Sequence, residues 1–111
     1  MTNEKETDAR IRIDKKLLDA GWKLPGHVDE ESQINVRTET KNKSGEADYV
    51  LLGSKDNHLC TIEAKKTLLS PLVGKEQARG YANSLKCRFI ILSNGILHYL
   101  WDLEQGNPVK I

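Results

Sequence analysis

Three residues near the middle of the sequence have side chains that could perform chemistry together: Asp48, Glu63 and Lys65. Both acids lie in short segments rich in β-branched and aromatic residues, which predict two strands joined by a turn at residues 53–57. If these strands pair as a hairpin, Asp48 and Glu63 converge at one end of the sheet. At an effective dielectric constant of about 20, two carboxylates about 4 Å apart repel by roughly 4 kcal/mol. A divalent cation between them removes this repulsion, and Mg²⁺ favours one or two carboxylates plus water.

The lysine completes a candidate site for metal-dependent phosphoryl transfer. Because side chains alternate along a strand, Lys65 shares a face with Glu63, whereas Ile62 and Ala64 lie on the opposite, apolar face. A cation would polarise a phosphate and activate water, and the lysine would stabilise the negative charge that develops. The backbone carbonyl of Ala64 is a further candidate oxygen ligand. The pattern alone is weak, because a chain with 16 acidic residues contains many chance matches; an ordinary solvated strand face is the alternative.

The composition is that of one ordinary globular domain. With 111 residues, 38% of them hydrophobic and 30% charged, the chain can form one core but not two. The net charge of +1 means that any DNA contact must come from local clusters of Lys and Arg. No apolar run approaches the ~20 residues of a membrane span, and the first residues are too polar for us to expect a signal peptide. Cys60 and Cys87 predict buried thiols in a reducing, cytoplasmic location rather than a disulfide or metal ligands.

These residues must be positioned by helices and strands. The hydrophobic pattern predicts the order helix, three strands, helix, two strands, which corresponds to a mixed sheet with helices packed against it in an α/β sandwich. The predicted helices cover residues 3–20 and 75–86, and the predicted strands cover residues 33–38, 47–52, 58–65, 88–92 and 96–103. Residues 40–45 are predicted to form a polar connection, and Asn94-Gly95 to form a hairpin turn.

The two predicted helices each have an apolar stripe that would face the sheet. In the first helix, which Gly21 is predicted to end, the stripe consists of Ile11, Ile13, Leu17, Leu18 and Ala20. In the second helix, the stripe consists of Ala78, Ala82 and Leu85. Gln77 and Tyr81 lie one turn apart on an adjacent stripe of the second helix.

Five segments occur in an order that is typical of one protein family. They are an opening helix at 6–10 and 13–22 (ETDAR and IDKKLLDAGW), two acidic segments at 45–51 and 62–66 (GEADYVL and IEAKK), a helix segment at 77–82 (QARGYA), and a strand with its turn at 89–95 (FIILSNG). Together they resemble the N-terminal nuclease domain of type I restriction enzyme R subunits, within the PD-(D/E)XK nuclease superfamily. The resemblance covers nearly the whole chain, and the helix segment fits the Q-x-x-x-Y motif of this branch.

The resemblance implies a fold, a reaction and a set of site residues. The fold is a restriction-endonuclease-like αβββαββ core, and the reaction is Mg²⁺-dependent cleavage of double-stranded DNA, with Mn²⁺ as a substitute cofactor. Asp48 and Glu63 are then catalytic metal ligands, and Lys65 is the catalytic lysine. The accessory residues are Glu6, near the metal, and Arg10 on the opening helix, with Gln77 and Tyr81 on the second helix near the DNA path or the site.

Each accessory position has a plainer alternative. Glu6 and Arg10 are one helical turn apart and could form only a surface ion pair. Gln77 and Tyr81 could make only a helix-surface hydrogen bond and an aromatic contact. A basic rim around the acids would provide phosphate contacts, although a solvated surface explains the same residues. The predicted members of this rim are Lys41, Lys43, Lys66, Lys75 and Arg79.

The chain departs from the family pattern in two ways. Ala47 replaces the proline before the aspartate, which removes no ligand atom. The family's R subunits continue into an ATP-driven motor and assemble with methylation and specificity subunits, whereas no GxxxxGK[ST] phosphate loop occurs in this sequence. The sequence therefore predicts a single nuclease domain over residues 1–111, either excised or a stand-alone relative, with no ATP site.

Two rival functions remain open on the sequence alone. One is a DNA-binding or docking module that retains the nuclease fold without catalysis, which the intact Asp48, Glu63 and Lys65 argue against. The other is a different enzyme of the superfamily, such as a junction resolvase or a repair nuclease, which Gln77 and Tyr81 argue against. No recognition helix or aromatic platform indicates base readout, so cleavage is expected to lack intrinsic sequence specificity.

Overall fold

Helices and strands follow one another in the predicted order over the part of the chain that the structure describes. The computed structural model describes residues 2–42 and 45–111, with side chains for residues 7–39 and 47–111. The helices are α1 (Thr2–Asp19) and α2 (Lys75–Ser84), and the strands are β1 (Val36–Asn42), β2 (Gly45–Leu52), β3 (His58–Ala64), β4 (Phe89–Ser93), β5 (His98–Asp102) and β6 (Val109–Lys110). The predicted α/β order is confirmed, and the two-residue strand β6 was not predicted because so short a segment has no hydrophobic period.

The strands form one mixed sheet in the order β1-β2-β3-β4-β5-β6. Every neighbouring pair is antiparallel except β3 and β4, which are parallel. A parallel pair requires a crossover connection, and α2 lies within the connection from β3 to β4. Helix α1 packs on one face of the central strands and α2 on the other, so that the predicted sandwich has two buried sheet faces.

Helix α1 contacts the sheet through residues spaced four apart. Ala9, Ile13 and Leu17 are buried, because side chains at positions i and i+4 share one face of a helix. The prediction that Ile11 belongs to this stripe is wrong, since its side chain is 61% exposed. Two residues correspond to about 200° around a helix, so Ile11 points away from its buried neighbours. Ala20, at the end of the helix, is also exposed.

The end of α1 is the one predicted from its glycine. Gly21 has φ of +98°, a conformation in which a side chain is unfavourable. The N–H of Gly21 bonds the carbonyl of Leu18, and the N–H of Trp22 bonds the carbonyl of Leu17. This pair of bonds is a Schellman motif, and it turns Trp22 back onto the core cluster beneath α1.

The opposite face of the sheet lies under α2. Ala78 and Ala82 pack in one cluster with Ile90 and Leu92. Thr61, which is in register with Ile90 on the neighbouring strand, is only 3% exposed. The face of β3 that carries the candidate acid and lysine is therefore covered by a helix, so an ordinary solvated strand does not explain their pattern.

The hairpin of β1 and β2 differs most from the prediction. Residues 31–33 form a short 3-10 turn, and β1 begins at Val36 and not at residue 33. The ladder continues to the pair Asn42 and Gly45, so the predicted polar connection is largely strand. Strand β1 lies at the sheet edge with one neighbour, where polar residues are tolerated on both faces, and hydrophobic alternation therefore did not reveal it.

The turn between β4 and β5 is longer than the predicted Asn-Gly hairpin. Ser93 pairs with His98, which leaves a four-residue loop. The side-chain oxygen of Asn94 accepts the N–H groups of Ile96 and Leu97 at 2.9 and 2.7 Å, and this Asx-type contact stabilises the wider loop. Strand β4 accordingly ends at residue 93, and β5 begins at residue 98 and not at 96.

Two predictions from composition concern the core and the membrane. Cys60 and Cys87 are buried free thiols, as predicted. Burial raises the pKa of Cys60 to about 12 and also raises the pKa of Cys87, so both thiols are protonated at neutral pH and poorly reactive. Neither described helix combines the length and apolar character needed to cross a bilayer.

Candidate active site

Strands β2 and β3 stop pairing next to the two candidate acids. Their antiparallel ladder ends at the pair Tyr49 and Ile62. The next residues along the two strands are Asp48 and Glu63, each one position beyond that last pair. The hairpin expected from the sequence is therefore present, and its end brings the two acids onto neighbouring strands.

The Asp48 carboxylate replaces a backbone acceptor at the point where the strands part. Its Oδ2 accepts the N–H of Ala64 at 2.7 Å. Its Oδ1 accepts a hydrogen bond from Nη2 of Arg10 on α1. With both oxygens bonded and the side chain only 10% exposed, the carboxylate is held in one orientation. The N–H of Ala64 thus binds Asp48, whereas a role for the Ala64 carbonyl as a metal ligand stays a prediction.

Arg10 joins the helix to two acids of the sheet. Its Nη1 donates to Oε1 of Glu39 at 3.1 Å, in addition to the contact with Asp48. Glu39 has φ of +53°, and the β1–β2 ladder omits the Glu39–Asp48 pair. Arg10 therefore pairs with two acids of the sheet, whereas the side chain of Glu6 lies outside the described residues. The sequence did not single out Glu39, because a lone acid on an edge strand has no distinctive spacing.

Lys65 lies between the end of β3 and the start of α2. Its N–H bonds the carbonyl of Ser93 at 2.8 Å, which aligns the chain beyond β3 with β4. A Cβ atom at Gly74, the residue that precedes α2, would lie 2.9 Å from Nζ of Lys65 and 3.6 Å from Oε1 of Gln77. The structure thus brings the predicted lysine and the predicted glutamine together beside a glycine, whose absent side chain makes room for them. Glu63 and Lys65 are both half-buried.

Part of the predicted basic rim surrounds a tryptophan that the sequence analysis missed. Nζ of Lys75 lies 5.6 Å and Cζ of Arg79 lies 4.8 Å from the ring centroid of Trp101 on β5. Such cation–π contacts hold the charges in place; Arg79 also bonds Glu76 at 3.2 Å. Trp101 is buried, and an aromatic residue in a strand gives no sequence signal beyond core packing.

The remaining predicted site residues are more dispersed. Lys66 and Tyr81 are half-buried, and Gln77 is exposed. Lys43 lies outside the described residues, as does the side chain of Lys41. The basic rim is therefore described only in part, through its members on and before α2.

A tyrosine beside Asp48 anchors α1 close to the acids. The hydroxyl of Tyr49 donates to Oδ1 of Asp14 at 2.5 Å and also contacts the carbonyl of Arg10 at 3.3 Å. Burial and, to a smaller extent, the hydrogen bond with Asp14 raise the pKa of Tyr49 far above its ordinary value. The phenol therefore stays protonated and can donate this hydrogen bond. Its position next to Asp48 in the acidic segment was the only sequence signal for this anchor.

The donor chemistry of the two acids suits a hard divalent cation. Among the described side chains, no group of three or more His, Cys, Asp or Glu residues could hold a metal ion. A cation at Asp48 and Glu63 would therefore take two carboxylates and complete its shell with backbone oxygen or water, which is the ligand set that Mg²⁺ accepts and Zn²⁺ rarely uses. The residues present fit Mg²⁺.

Comparison with known families decides the identity of the fold. The profile of the type I restriction enzyme R protein N terminus matches residues 23–110. The chain belongs to this family. The R-protein N-terminal match includes all six strands and α2, and hence Asp48, Glu63 and Lys65, whereas α1 with Arg10 precedes the matched range.

A solved structure agrees with this assignment. The chain is similar to the fragment structure of a candidate HsdR subunit of a type I restriction enzyme from Vibrio vulnificus YJ016, with a TM-score of 0.71 and 21% sequence identity over 94% of this chain. The chain spans about a fifth of that protein, 22% of its length. At this identity the similarity establishes the mixed-sheet fold of the R-protein N-terminal domain and no more. A comparison with curated proteins finds no match.

Proposed function

We propose that this domain hydrolyses phosphodiester bonds of double-stranded DNA with Mg²⁺ as its cofactor. The observation that carries the proposal is the end of the β2–β3 ladder at the pair Tyr49 and Ile62, one residue before Asp48 and Glu63, with Lys65 two residues beyond Glu63. Family membership supports an endonuclease function, because the family is the N-terminal part of a restriction enzyme subunit. Double-stranded DNA is the proposed substrate, and a motor and the methylation and specificity subunits are the proposed partners.

Asp48 and Glu63 are proposed to hold the cation, with the carbonyl of Ala64 as a further oxygen ligand. When bound, Mg²⁺ supplies Lewis acidity, which polarises the phosphate and lowers the pKa of nearby water. The bond from the N–H of Ala64 keeps the Asp48 carboxylate in a fixed orientation, and fixed ligands reduce the reorganisation that the reaction requires. Mn²⁺ is expected to substitute, because carboxylate and water suit both ions.

Lys65 is proposed to stabilise the negative charge that develops on the phosphate. The ammonium group lies beside Gly74, at the amino end of α2. The unpaired N–H groups of a helix N-terminus carry partial positive charge, so lysine and helix together favour an anion at this position. Gln77, whose side-chain oxygen lies 3.6 Å from the position of a Cβ at the same glycine, is proposed to orient water or the DNA backbone there.

The basic residues of α2 are proposed to contact the DNA backbone. Lys75 and Arg79 stand one turn apart on α2 and are held over Trp101, next to the helix end that faces Lys65. Lys66 adds a further positive charge beside Lys65, and Tyr81 lies one turn beyond Gln77 on the same helix. Phosphate contacts position DNA without reading its sequence, so we propose cleavage without intrinsic sequence specificity.

Nicking of supercoiled plasmid in Mg²⁺ tests the proposal. Wild-type protein is expected to nick the plasmid in Mg²⁺ or Mn²⁺ and not in EDTA. Lys65→Ala is expected to reduce the rate by roughly 10²–10³-fold, which is typical of losing one charge-stabilising group. The matched control is Lys23→Ala, which removes the same charge from an exposed residue outside the proposed site and is expected to retain most of the activity.

Calorimetric titration with Mn²⁺ separates the nuclease from the rival docking module. Binding to the wild type and loss of binding in Glu63→Ala are expected for the nuclease. Equal heats for both proteins would show that Glu63 is not a ligand. A domain that binds DNA but shows neither cation binding nor nicking would be the non-catalytic module.

A further inference from the structure

Three acids of the first three strands lie where the strand ladders are interrupted or end. Glu39 on β1 is opposite Asp48 on β2, in the gap between the pairs Thr38–Tyr49 and Thr40–Ala47. Glu63 on β3 and Asp48 on β2 each lie one residue beyond the last pair of their ladder, Tyr49–Ile62. Carboxylates on neighbouring strands repel one another, and burial of Asp48 strengthens the repulsion because little water screens it. Asp48 and its neighbour Glu39 therefore need a positive charge.

Arg10 supplies that charge from outside the sheet. Its guanidinium bridges Asp48 and Glu39 through different nitrogens, and its side chain is only 25% exposed. A guanidinium cannot lose its proton in a protein, so this charge is present at every ordinary pH. The hydroxyl of Tyr49 contacts both Asp14 and the carbonyl of Arg10 on α1. These contacts anchor the helix next to Asp48 and thereby fix the position of the Arg10 backbone.

We propose that Arg10 is an internal counter-ion that competes with the divalent cation for Asp48 and thereby sets the cation affinity of the site. The inference rests on the proposed function, because it takes Asp48 to be a cation ligand. Oδ1 of Asp48 already accepts a hydrogen bond from the Arg10 guanidinium, so a cation that binds this oxygen lies next to that positive charge. Like charges at such separations oppose one another, so the cation must displace Nη2 of Arg10 or bind more weakly beside it.

Competition and simple positioning predict opposite effects of removing the arginine. If Arg10 only orients Asp48, its loss loosens the ligand and weakens cation binding. If Arg10 competes, its loss removes a positive charge and strengthens binding, while the N–H of Ala64 still orients the carboxylate through Oδ2. The sign of the change in affinity therefore distinguishes the two roles.

Calorimetric titration of Mn²⁺ into wild type, Arg10→Gln and Arg12→Gln provides the first test. Arg12 is exposed on the same helix, so its substitution gives the same change in net charge away from Asp48. Arg10→Gln is expected to lower the Kd for Mn²⁺ by about tenfold or more, since a neighbouring charge shifts carboxylate equilibria by one to three powers of ten. Arg12→Gln is expected to leave the Kd unchanged. An equal or higher Kd in Arg10→Gln overturns the competition.

A double-mutant cycle in EDTA tests the counter-ion without any cation. The midpoints of urea unfolding are compared for wild type, Arg10→Gln, Asp48→Asn and the double variant. Arg10→Gln is expected to lower the midpoint, and the second substitution is expected to restore part of the loss, because it removes the uncompensated buried charge. Strictly additive shifts overturn the counter-ion. If the cycle shows coupling but no variant binds Mn²⁺, the proposed metal site is wrong and the competition falls with it, whereas the Arg10–Asp48 pairing stands.

Discussion

Asp48 and Ala64 are joined by a hydrogen bond of 2.7 Å between a side-chain oxygen and a backbone N–H. This bond crosses the point at which β2 and β3 part, immediately beyond the pair Tyr49 and Ile62. The carboxylate that we propose as a cation ligand therefore also completes the hydrogen bonding of the sheet. Because one residue serves both purposes, substitutions that differ in charge and in acceptor capacity can separate them.

Two substitutions of Asp48 are expected to lower stability to different extents. Asp48→Ala leaves the buried N–H of Ala64 without its acceptor and should lower the free energy of unfolding by about 1–3 kcal/mol. Asp48→Asn keeps an acceptor oxygen and should lose less, while both variants should lose cleavage. Urea unfolding in EDTA measures the first effect and plasmid nicking the second. Wild-type stability in Asp48→Ala would contradict the structural role of the bond.

Gly74 should matter for catalysis more than for stability. Its φ is +81°, and a Cβ would lie 2.9 Å from Nζ of Lys65. Gly74→Ala is expected to cost about 1–2 kcal/mol of stability for the unfavourable φ and, in addition, to displace the lysine and reduce nicking. Gly26 provides the matched control, because its φ is +82° and no atom lies within 4 Å of a Cβ there. Gly26→Ala should show the stability loss with normal nicking, and equal nicking by both variants would contradict the placement of Lys65.

His98 should make the domain less stable below neutral pH. Burial, and then the charge of Lys16, lower the pKa of this imidazole, and Ser93 Oγ bonds its Nδ1 at 2.8 Å. Between the lowered pKa and about 6.5 the unfolded chain binds the proton that the folded chain resists, so stability rises with pH in this window and is lost as pH falls. Thermal unfolding between pH 5 and pH 7.5 measures the slope. His98→Asn should flatten it relative to wild type and to the exposed-site control His27→Asn; an unchanged slope would count against the prediction.

Arg79 should contribute one phosphate contact. Its loss in Arg79→Gln is expected to reduce the slope of log K against log salt concentration by about 1, with similar effects on all DNA sequences. Fluorescence anisotropy of a labelled duplex in EDTA at several salt concentrations measures this slope. The control is Arg88→Gln, because Arg88 is also stacked over an aromatic ring but is paired with Asp102 through two bonds of 2.9 Å. A slope change of equal size in both variants would remove Arg79 from the proposed DNA path.

The sequence predicted the elements that have a strong hydrophobic period and missed those that depend on tertiary contacts. Strands β3 and β4 lie in the centre of the sheet and α2 packs on it. The boundaries of these three elements differ from the predicted ones by at most two residues. The edge strand β1 and the short β6 were displaced or missed, because edge strands need not alternate and two residues have no period. The prediction for Ile11 is wrong because its apolar type suggests burial, whereas its angle around the helix points it away from Ala9 and Ile13.

The candidate site shows the same division. The spacing of Asp48 and Glu63 predicted that hairpin pairing would bring the two acids together; β2 and β3 do pair as a hairpin, and the ladder ends one residue before each acid. The bridge from Arg10 to Glu39 could not be predicted, because it joins residues 29 positions apart through the placement of α1 on the sheet. Long-range side-chain partners of this kind depend on packing and leave no local pattern in the sequence.

The shared cation is the central claim, and anomalous diffraction from a crystal soaked in Mn²⁺ tests it most directly. We expect one anomalous peak at about 2.1 Å from a carboxylate oxygen of Asp48 and from one of Glu63, the bond length typical of small divalent ions. A peak bound to only one of these acids, or no peak at saturating Mn²⁺, would contradict the account.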